Sequence, residues 1–224
     1  MIGGLAKVTV QDFPGNLACI VFFNGCNFRC PYCHNSELVN KKAPEIPVEE
    51  IMDYIRKRKN MLDGVVISGG EPTVNKELID FIKEIKKLKL KVKLDTNGYL
   101  PSVLKEIIDN KLVDYIAMDI KEVFSKYKEV VGLDIDTKKI KESIKLIKDS
   151  KIEHEFRTTM IKEIHTIDDI KEIVKIVGDS PYYLQNFKES EYVLAKNLHG
   201  FSHDELIEIS KLFKKNKNVN VRGI

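Results

Sequence analysis

Three of the chain's four cysteines fall within eight residues, as Cys26, Cys30 and Cys33 of the run Asn24-Gly-Cys-Asn-Phe-Arg-Cys-Pro-Tyr-Cys-His-Asn35. A C-x3-C-x2-C spacing delivers three thiolates from one short loop, and iron-sulfur clusters are held by cysteine thiolates, four of them for a closed 4Fe-4S centre. Three ligands leave one iron open. An open iron can bind a substrate directly, so the spacing points to a reactive cluster. Two other chemistries could use the same residues. A zinc site would add His34, but His34 directly follows Cys33, and neighbouring residues fill two tetrahedral corners poorly. A redox Cys-x-x-Cys pair of Cys30 and Cys33 would leave Cys26 idle. Cys19, inside an apolar run, reads as a buried structural thiol.

Further polar or glycine-rich motifs recur along the chain: Gly69-Gly70-Glu71-Pro72, Asp95-Thr96-Asn97-Gly98, Met118-Asp119-Ile120-Lys121, His154-Glu-Phe-Arg157-Thr-Thr159 and Leu184-Gln185-Asn186-Phe187. Each lies just after, or at the end of, a short run suited to a strand. The runs are Ala18 to Phe23, Val65 to Ser68, Val92 to Thr96, Tyr115 to Ile120, Ile152 to Thr158 and Tyr182 to Gln185. Asp119 and Lys121, two apart on a strand, face the same side, which suits either a zwitterionic ligand or a salt-bridged rim. Arg157 is one of only five arginines, and its fixed fork favours a carboxylate. Asn97 with Gly98 fits a ligand contact or a simple turn. His154, His165, His199 and His203 have no mutual metal spacing and read as surface or satisfied structural histidines.

These motifs need elements to hold them. Leu78, Phe81, Ile82, Ile85, Leu88 and Ile140, Ile144, Ile147 are spaced for one apolar helix face. Thr166-Ile-Asp-Asp169 and Ser202-His-Asp-Glu205 read as capping boxes, and Pro47 and Pro101 sit where a first helical turn can begin. Strands alternating with helices predict parallel pairing through crossovers, and such folds build their active sites at the C-terminal strand edge. A closed eight-unit barrel takes about 250 residues. The 224 residues here hold six units, with a possible last strand at Val219 to Val221 after a helix from Asp204 to Lys215. The predicted fold is therefore α/β, a partial open (β/α)6 barrel, as one domain over residues 1–224 with the extra helix and strand in 204–224.

Composition removes several classes. With 43% hydrophobic and 32% charged residues the chain can bury a sizeable core, which excludes a disordered or collagen-like protein. The 37 Lys+Arg and 34 Asp+Glu leave a net charge of +3, with the signs interleaved. No basic block marks a nucleic-acid or membrane footprint. The longest apolar segment, Leu17 to Phe23, is far below the roughly 18 residues a bilayer helix needs, and the start carries no signal-peptide pattern. The expected setting is cytoplasmic, where thiols stay reduced, with neither nucleic acid nor membrane as partner.

The sequence resembles the radical S-adenosylmethionine (SAM) enzymes. Cys26-x3-Cys30-x-Tyr32-Cys33 matches that family's C-x3-C-x-aromatic-C, and Gly69 to Pro72 matches its GGEP, in the expected order. Within the family it is most similar to the activating enzymes of glycyl-radical enzymes, particularly those of anaerobic ribonucleotide reductase and pyruvate formate-lyase. Gln11-Asp-Phe-Pro-Gly15, Tyr32-Cys-His-Asn35, Asp95-Thr-Asn-Gly98 and Asp119-Ile-Lys121 carry that likeness, which covers about residues 5 to 190.

The resemblance implies that Cys26, Cys30 and Cys33 hold a 4Fe-4S cluster with one open iron. That iron would chelate the amino and carboxylate groups of SAM, and reduction would yield a 5'-deoxyadenosyl radical that takes a hydrogen atom from the substrate. It places Tyr32, with the backbone of Cys33 and His34, at the adenine, and Gly69, Gly70 and Glu71 at the SAM ammonium. Asn97, Asp119, Ile120, Lys121 and Arg157 would complete the cofactor site. The implied partners are a glycyl-radical enzyme, an anaerobic ribonucleotide reductase foremost, and a flavodoxin or ferredoxin as electron donor. Two departures stand out: Asp12-Phe13-Pro14-Gly15 replaces the relatives' Asp-Gly-Pro-Gly, and Leu184 to Phe187 lacks the ligand-contacting histidine of the pyruvate formate-lyase activators. The competing readings are a radical SAM enzyme acting on a small molecule or RNA, and a zinc-binding interaction module.

Overall fold

A computed structural model describes residues 2–190, 193 and 195–222. The chain forms one eight-stranded sheet in which sequential strands are spatial neighbours throughout. β1 (Ile2–Thr9) pairs antiparallel with β2 (Ala18–Phe23). From there every pairing is parallel, through β3 (Gly64–Gly69), β4 (Lys91–Thr96), β5 (Tyr115–Asp119), β6 (Glu153–Met160), β7 (Tyr182–Asn186) and β8 (Val219–Arg222). Among the described residues β1 and β8 do not pair, so the barrel stays open. The six expected strands are all present, and the possible last strand is real.

β1 was not expected. Its Gly3-Gly4 pair and mixed burial give no clean alternation, yet Gly3 lies so close to Asn24 that a Cβ there would overlap its side-chain oxygen. Most element boundaries also shift by one or two residues, and two shifts bear on the argument. β5 ends at Asp119 rather than Ile120, and the last helix stops at Leu212 rather than Lys215, because Lys214, Lys215 and Asn216 offer no apolar side chain to continue the buried face.

Eight helices fill the crossovers: α1 (Ser36–Val39), α2 (Val48–Arg58), α3 (Leu78–Lys87), α4 (Pro101–Asp109), α5 (Tyr127–Val131), α6 (Thr137–Asp149), α7 (Ile167–Val177) and α8 (His203–Leu212). Thr166 and Ser202 make complete capping boxes with Asp169 and Glu205, and Pro101 opens α4. The apolar stripes of α3 and α6 bury Phe81, Ile82, Ile85 and Ile140, Ile144, Ile147 against one face of the sheet, where Val65, Ile67, Val92, Leu94, Ile116 and Met118 point. Period-two alternation sends Ala18, Ile20, Val66, Tyr115 and Ala117 to the opposite, inner face. Phe13, from the β1–β2 turn, plugs that inner face at the strands' N-terminal end, its ring 6.1 Å from Tyr115. No helix among the described residues is long and apolar enough to cross a membrane.

Candidate functional site

Register brings the motifs to one edge. Phe23 pairs with Gly69, Thr96 with Met118, Asp119 with Arg157, and Thr159 with Gln185. The residues beyond these pairs therefore meet at the C-terminal mouth. A cleft there holds about 850 Å³ of space, counted out into open solvent. Cys26, Cys30 and Cys33 line it together with Asp119, Lys121 and Arg157.

The cysteine loop is seated by glycines. Gly69 has φ +127°, and a Cβ on it would fall on the Phe23 backbone, while a Cβ on Gly70 would fall on the Gly25 carbonyl. Glycine is needed at both positions for that close approach. Glu71 donates its backbone N–H to the Gly25 carbonyl, and Arg29 donates to the carbonyls of Cys26 and Phe28, which closes the loop on itself. All three thiols are free. Burial pushes the Cys26 thiol up to about 12, with Glu71 adding to the rise. Burial likewise raises Cys30, opposed by the Lys121 ammonium.

Glu71 lines the cleft with its carboxylate already engaged by neighbouring donors. Its Oε1 accepts from Thr73 N (3.1 Å), Thr73 Oγ1 (2.5 Å) and Thr96 Oγ1 (2.8 Å), and its Oε2 accepts from Asn97 N (2.6 Å). A carboxylate has about four acceptor positions, two on each oxygen; Oε1 is saturated and Oε2 keeps one position open. Glu71 braces the end of β3 to the end of β4. Asn97 turns its side chain to the cysteine loop, donating to Asn27 Oδ1 at 2.7 Å, and so links that loop to β4.

The charged wall is a chain of alternating signs. Lys121 Nζ lies 2.9 Å from Asp119 Oδ2, Arg157 Nε 2.9 Å from Asp119 Oδ1, Arg157 Nη1 3.5 Å from Asp95, and Lys93 Nζ 3.0 Å from Asp95. Burial alone would raise the Asp119 carboxyl, but Arg157 and then Lys121 outweigh it and hold it well below the usual carboxylate range. Burial opposes the charges on Lys121 and Arg157 as well, and Asp119 restores both. Asp119, Lys121 and Arg157 therefore stay ionised at neutral pH. Lys121 and Arg157, which line the cleft, can meet an incoming carboxylate without a proton transfer.

One expected residue, Ile120, is not brought to the cleft. The His34 side chain tilts against Phe187, ring centroids 5.2 Å apart, with Nδ1 3.3 Å from Ser190 Oγ, while the part expected of His34 is its backbone's. The side chain of Ile120 is wholly buried in the helix-facing core, and its N–H and C=O are taken by the Arg157 carbonyl and Thr158 Oγ1. Tyr32, Cys33, Gly69, Gly70, Asn97 and the charged trio all line it. Ser68, Asp95 and Lys93 were not singled out as site residues. Ser68 Oγ donates to Asp95 Oδ2 at 3.1 Å. Their signal was available: Lys93 and Asp95 interrupt an apolar strand at period two, which sends both to one face.

Comparison with known proteins decides the family. The sequence profile of the radical SAM superfamily matches residues 20–177. The chain belongs to the radical SAM superfamily. A relative from Methanocaldococcus jannaschii, provisionally named a glycyl-radical enzyme activating enzyme, is 37% identical over the whole of this chain and 96% of its own. The pyruvate formate-lyase-activating enzyme of Clostridium pasteurianum is 35% identical over 58% of this chain and 57% of its own. Among solved structures, Streptococcus suis SuiB bound to S-adenosylmethionine superposes with a TM-score of 0.72 at 18% identity, covering 91% of this chain and 52% of SuiB. That last likeness concerns the fold.

Radical SAM proteins use a 4Fe-4S cluster and SAM, and the cleft fits both. Buried thiols that hold their protons to high pH become thiolates when iron neutralises the charge. Among the described residues no three side chains stand in the tight arrangement a single metal ion takes; a cluster of several irons spreads its thiolates farther apart.

Proposed function

We propose that this protein is the activating enzyme of a glycyl-radical enzyme, and that its partner is an anaerobic ribonucleotide reductase. In this reading Cys26, Cys30 and Cys33 hold the cluster. Tyr32 and the backbone around Cys33 receive the adenine, Gly69 and Gly70 offer backbone to the ammonium, and Lys121 and Arg157 receive the carboxylate. When bound, the cluster and SAM supply a radical able to take a hydrogen atom from the partner's glycine. A flavodoxin or ferredoxin delivers the electron, and the free thiols suit the cytoplasm.

The observation that carries the reading is the convergence of the cysteine loop and the Asp119, Lys121, Arg157 cluster on one cleft. What favours a protein substrate is the way the cleft continues. Gln185 lies in its wall and also in that of a broader groove lined by Gln11, Thr159, Asn186 and Arg222, between the β1–β2 turn and β8. That groove is the open seam of the barrel, and an extended loop from another chain fits it better than an enclosed small molecule does. The full-length relative supports the same activity through its name.

The test is electron paramagnetic resonance. Reconstituted, reduced protein incubated anaerobically with SAM and an anaerobic ribonucleotide reductase is expected to give a glycyl-radical doublet. Formation of 5'-deoxyadenosine without that doublet, across candidate glycyl-radical partners, would move the substrate to a small molecule or RNA.

A further inference from the structure

β5 ends at Asp119, yet the two residues beyond it are held as firmly as any in the sheet. Ile120 keeps one strand-like bond, its N–H donating to the Arg157 carbonyl at 2.8 Å. Its carbonyl accepts from Thr158 Oγ1 at 2.7 Å, and Thr158 Oγ1 in turn accepts from the buried Tyr182 hydroxyl at 2.6 Å. Lys121 has no strand partner. Its N–H donates to the Tyr127 hydroxyl at 3.2 Å, and its carbonyl accepts from His165 Nε2 at 2.9 Å.

His165 is itself locked. Nδ1 accepts from the Ile161 N–H at 3.1 Å, so the ring proton must sit on Nε2, facing Lys121. The ring is buried, which leaves no water to replace either bond. Because the Lys121 carbonyl is fixed, the Lys121 side chain starts from a fixed point, and its ammonium reaches Asp119 at 2.9 Å on the cleft wall.

We infer that His165 is a positioning residue for SAM binding, acting through the Lys121 carbonyl to hold the Lys121 ammonium and the Asp119 carboxylate in the cleft. It touches neither cofactor nor cleft. Partners that orient a binding residue typically change affinity by roughly 10- to 100-fold when removed. The inference rests on the reading that Lys121 contacts SAM.

A pair of substitutions separates positioning from packing. His165→Gln can still donate to the Lys121 carbonyl but loses the acceptor for Ile161. His165→Asn keeps that acceptor and loses the donor. Both sacrifice one buried hydrogen bond, so both lower the unfolding midpoint similarly. The dissociation constant for SAM, measured by equilibrium dialysis on reconstituted protein of matched iron content, is expected to rise about tenfold in His165→Asn and to stay near wild type in His165→Gln. Equal SAM affinity in the two variants overturns the inference, whether both bind as wild type or both are weakened alike. Should neither fold, His165→Phe fills the same space without the donor to the Lys121 carbonyl, and wild-type affinity in it overturns the inference as well. Lys121→Met tells the two claims apart. If it binds SAM as wild type, the lysine leaves the ligand set and the inference falls with it; if it is weakened while His165→Asn is not, only the positioning role falls.

Discussion

The two ends of the sheet bury opposite kinds of surface. At the N-terminal ends of the strands, Phe13 closes the inner face against Ala18, Ile20, Val66, Tyr115 and Ala117, and Gly64 is so close to its ring that a Cβ there would overlap it. At the C-terminal ends the same face carries Lys93, Asp95, Glu71, Asp119, Lys121 and Arg157, of which Lys93 and Glu71 are buried and the others half-buried. The apolar end can be sealed because hydrophobic contact is non-directional. The charged end cannot: each ion needs a partner at a set distance, so the groups are spaced out and the mouth stays open. Stability is concentrated at one end and reactivity at the other.

That division can be tested from both sides. The largest effect is expected at the mouth. Cys30→Ala should lose bound iron and bring 5'-deoxyadenosine formation to background, while circular dichroism keeps the native signature. Should it unfold instead, the cysteine loop would belong to the structural half. Next in size, Phe13→Ala at the opposite end should lower unfolding stability by about 3 kcal/mol, read by denaturant titration, with the SAM dissociation constant unchanged. A matching loss of SAM affinity would show the two ends to be coupled, the route being Lys93, whose ammonium lies 2.5 Å from the Asp12 carbonyl beside the plug and 3.0 Å from Asp95.

A third test concerns a charge hidden behind the mouth. Glu122 is wholly buried, and burial pushes its carboxyl up to about 7. The folded protein keeps this proton to about pH 7, whereas an unfolded chain gives it up near 4.3. Glu122 therefore favours the folded state less and less as pH rises between those values, and its full cost is felt above about 7. Glu122→Gln should flatten stability across that window and stabilise the protein at about pH 8 by up to roughly 4 kcal/mol. The smallest effect is expected on the outer layer. Lys105 and Asp109 form an exposed i,i+4 pair at 2.6 Å, and Lys105→Ala should cost about 0.3 kcal/mol and leave both ends as they are.

The same contrast explains what the sequence revealed. The parallel strands, the amphipathic helices and both capping boxes follow local rules of period and propensity, and all were legible. β1 was not, because its strand character comes from pairing with β2 rather than from its own residues. At the mouth, residue types and spacing identified the three cysteines, the glycine pair and the Asp119, Lys121, Arg157 trio. They did not reveal that Glu71 spends its carboxylate on Thr73, Thr96 and Asn97, since those donors come from two separate motifs. Nor did they show that the side chains of Ile120 and His34, next in sequence to cleft residues, turn elsewhere. Direction on a loop depends on what packs around it, and His34 is drawn off by Phe187, more than a hundred and fifty residues away in the chain.

Gly69 and Gly70 have a consequence for anyone building new enzymes on this scaffold. The cysteine loop rests on backbone, with no side chain between it and the end of β3. Such a seat works like a matched key and lock cut together. Grafting Cys26 to Cys33 onto another barrel without the glycine pair would leave the loop riding one atom too high, with every thiol displaced. The transferable module is therefore discontinuous, two short segments some forty residues apart that have to move as one part.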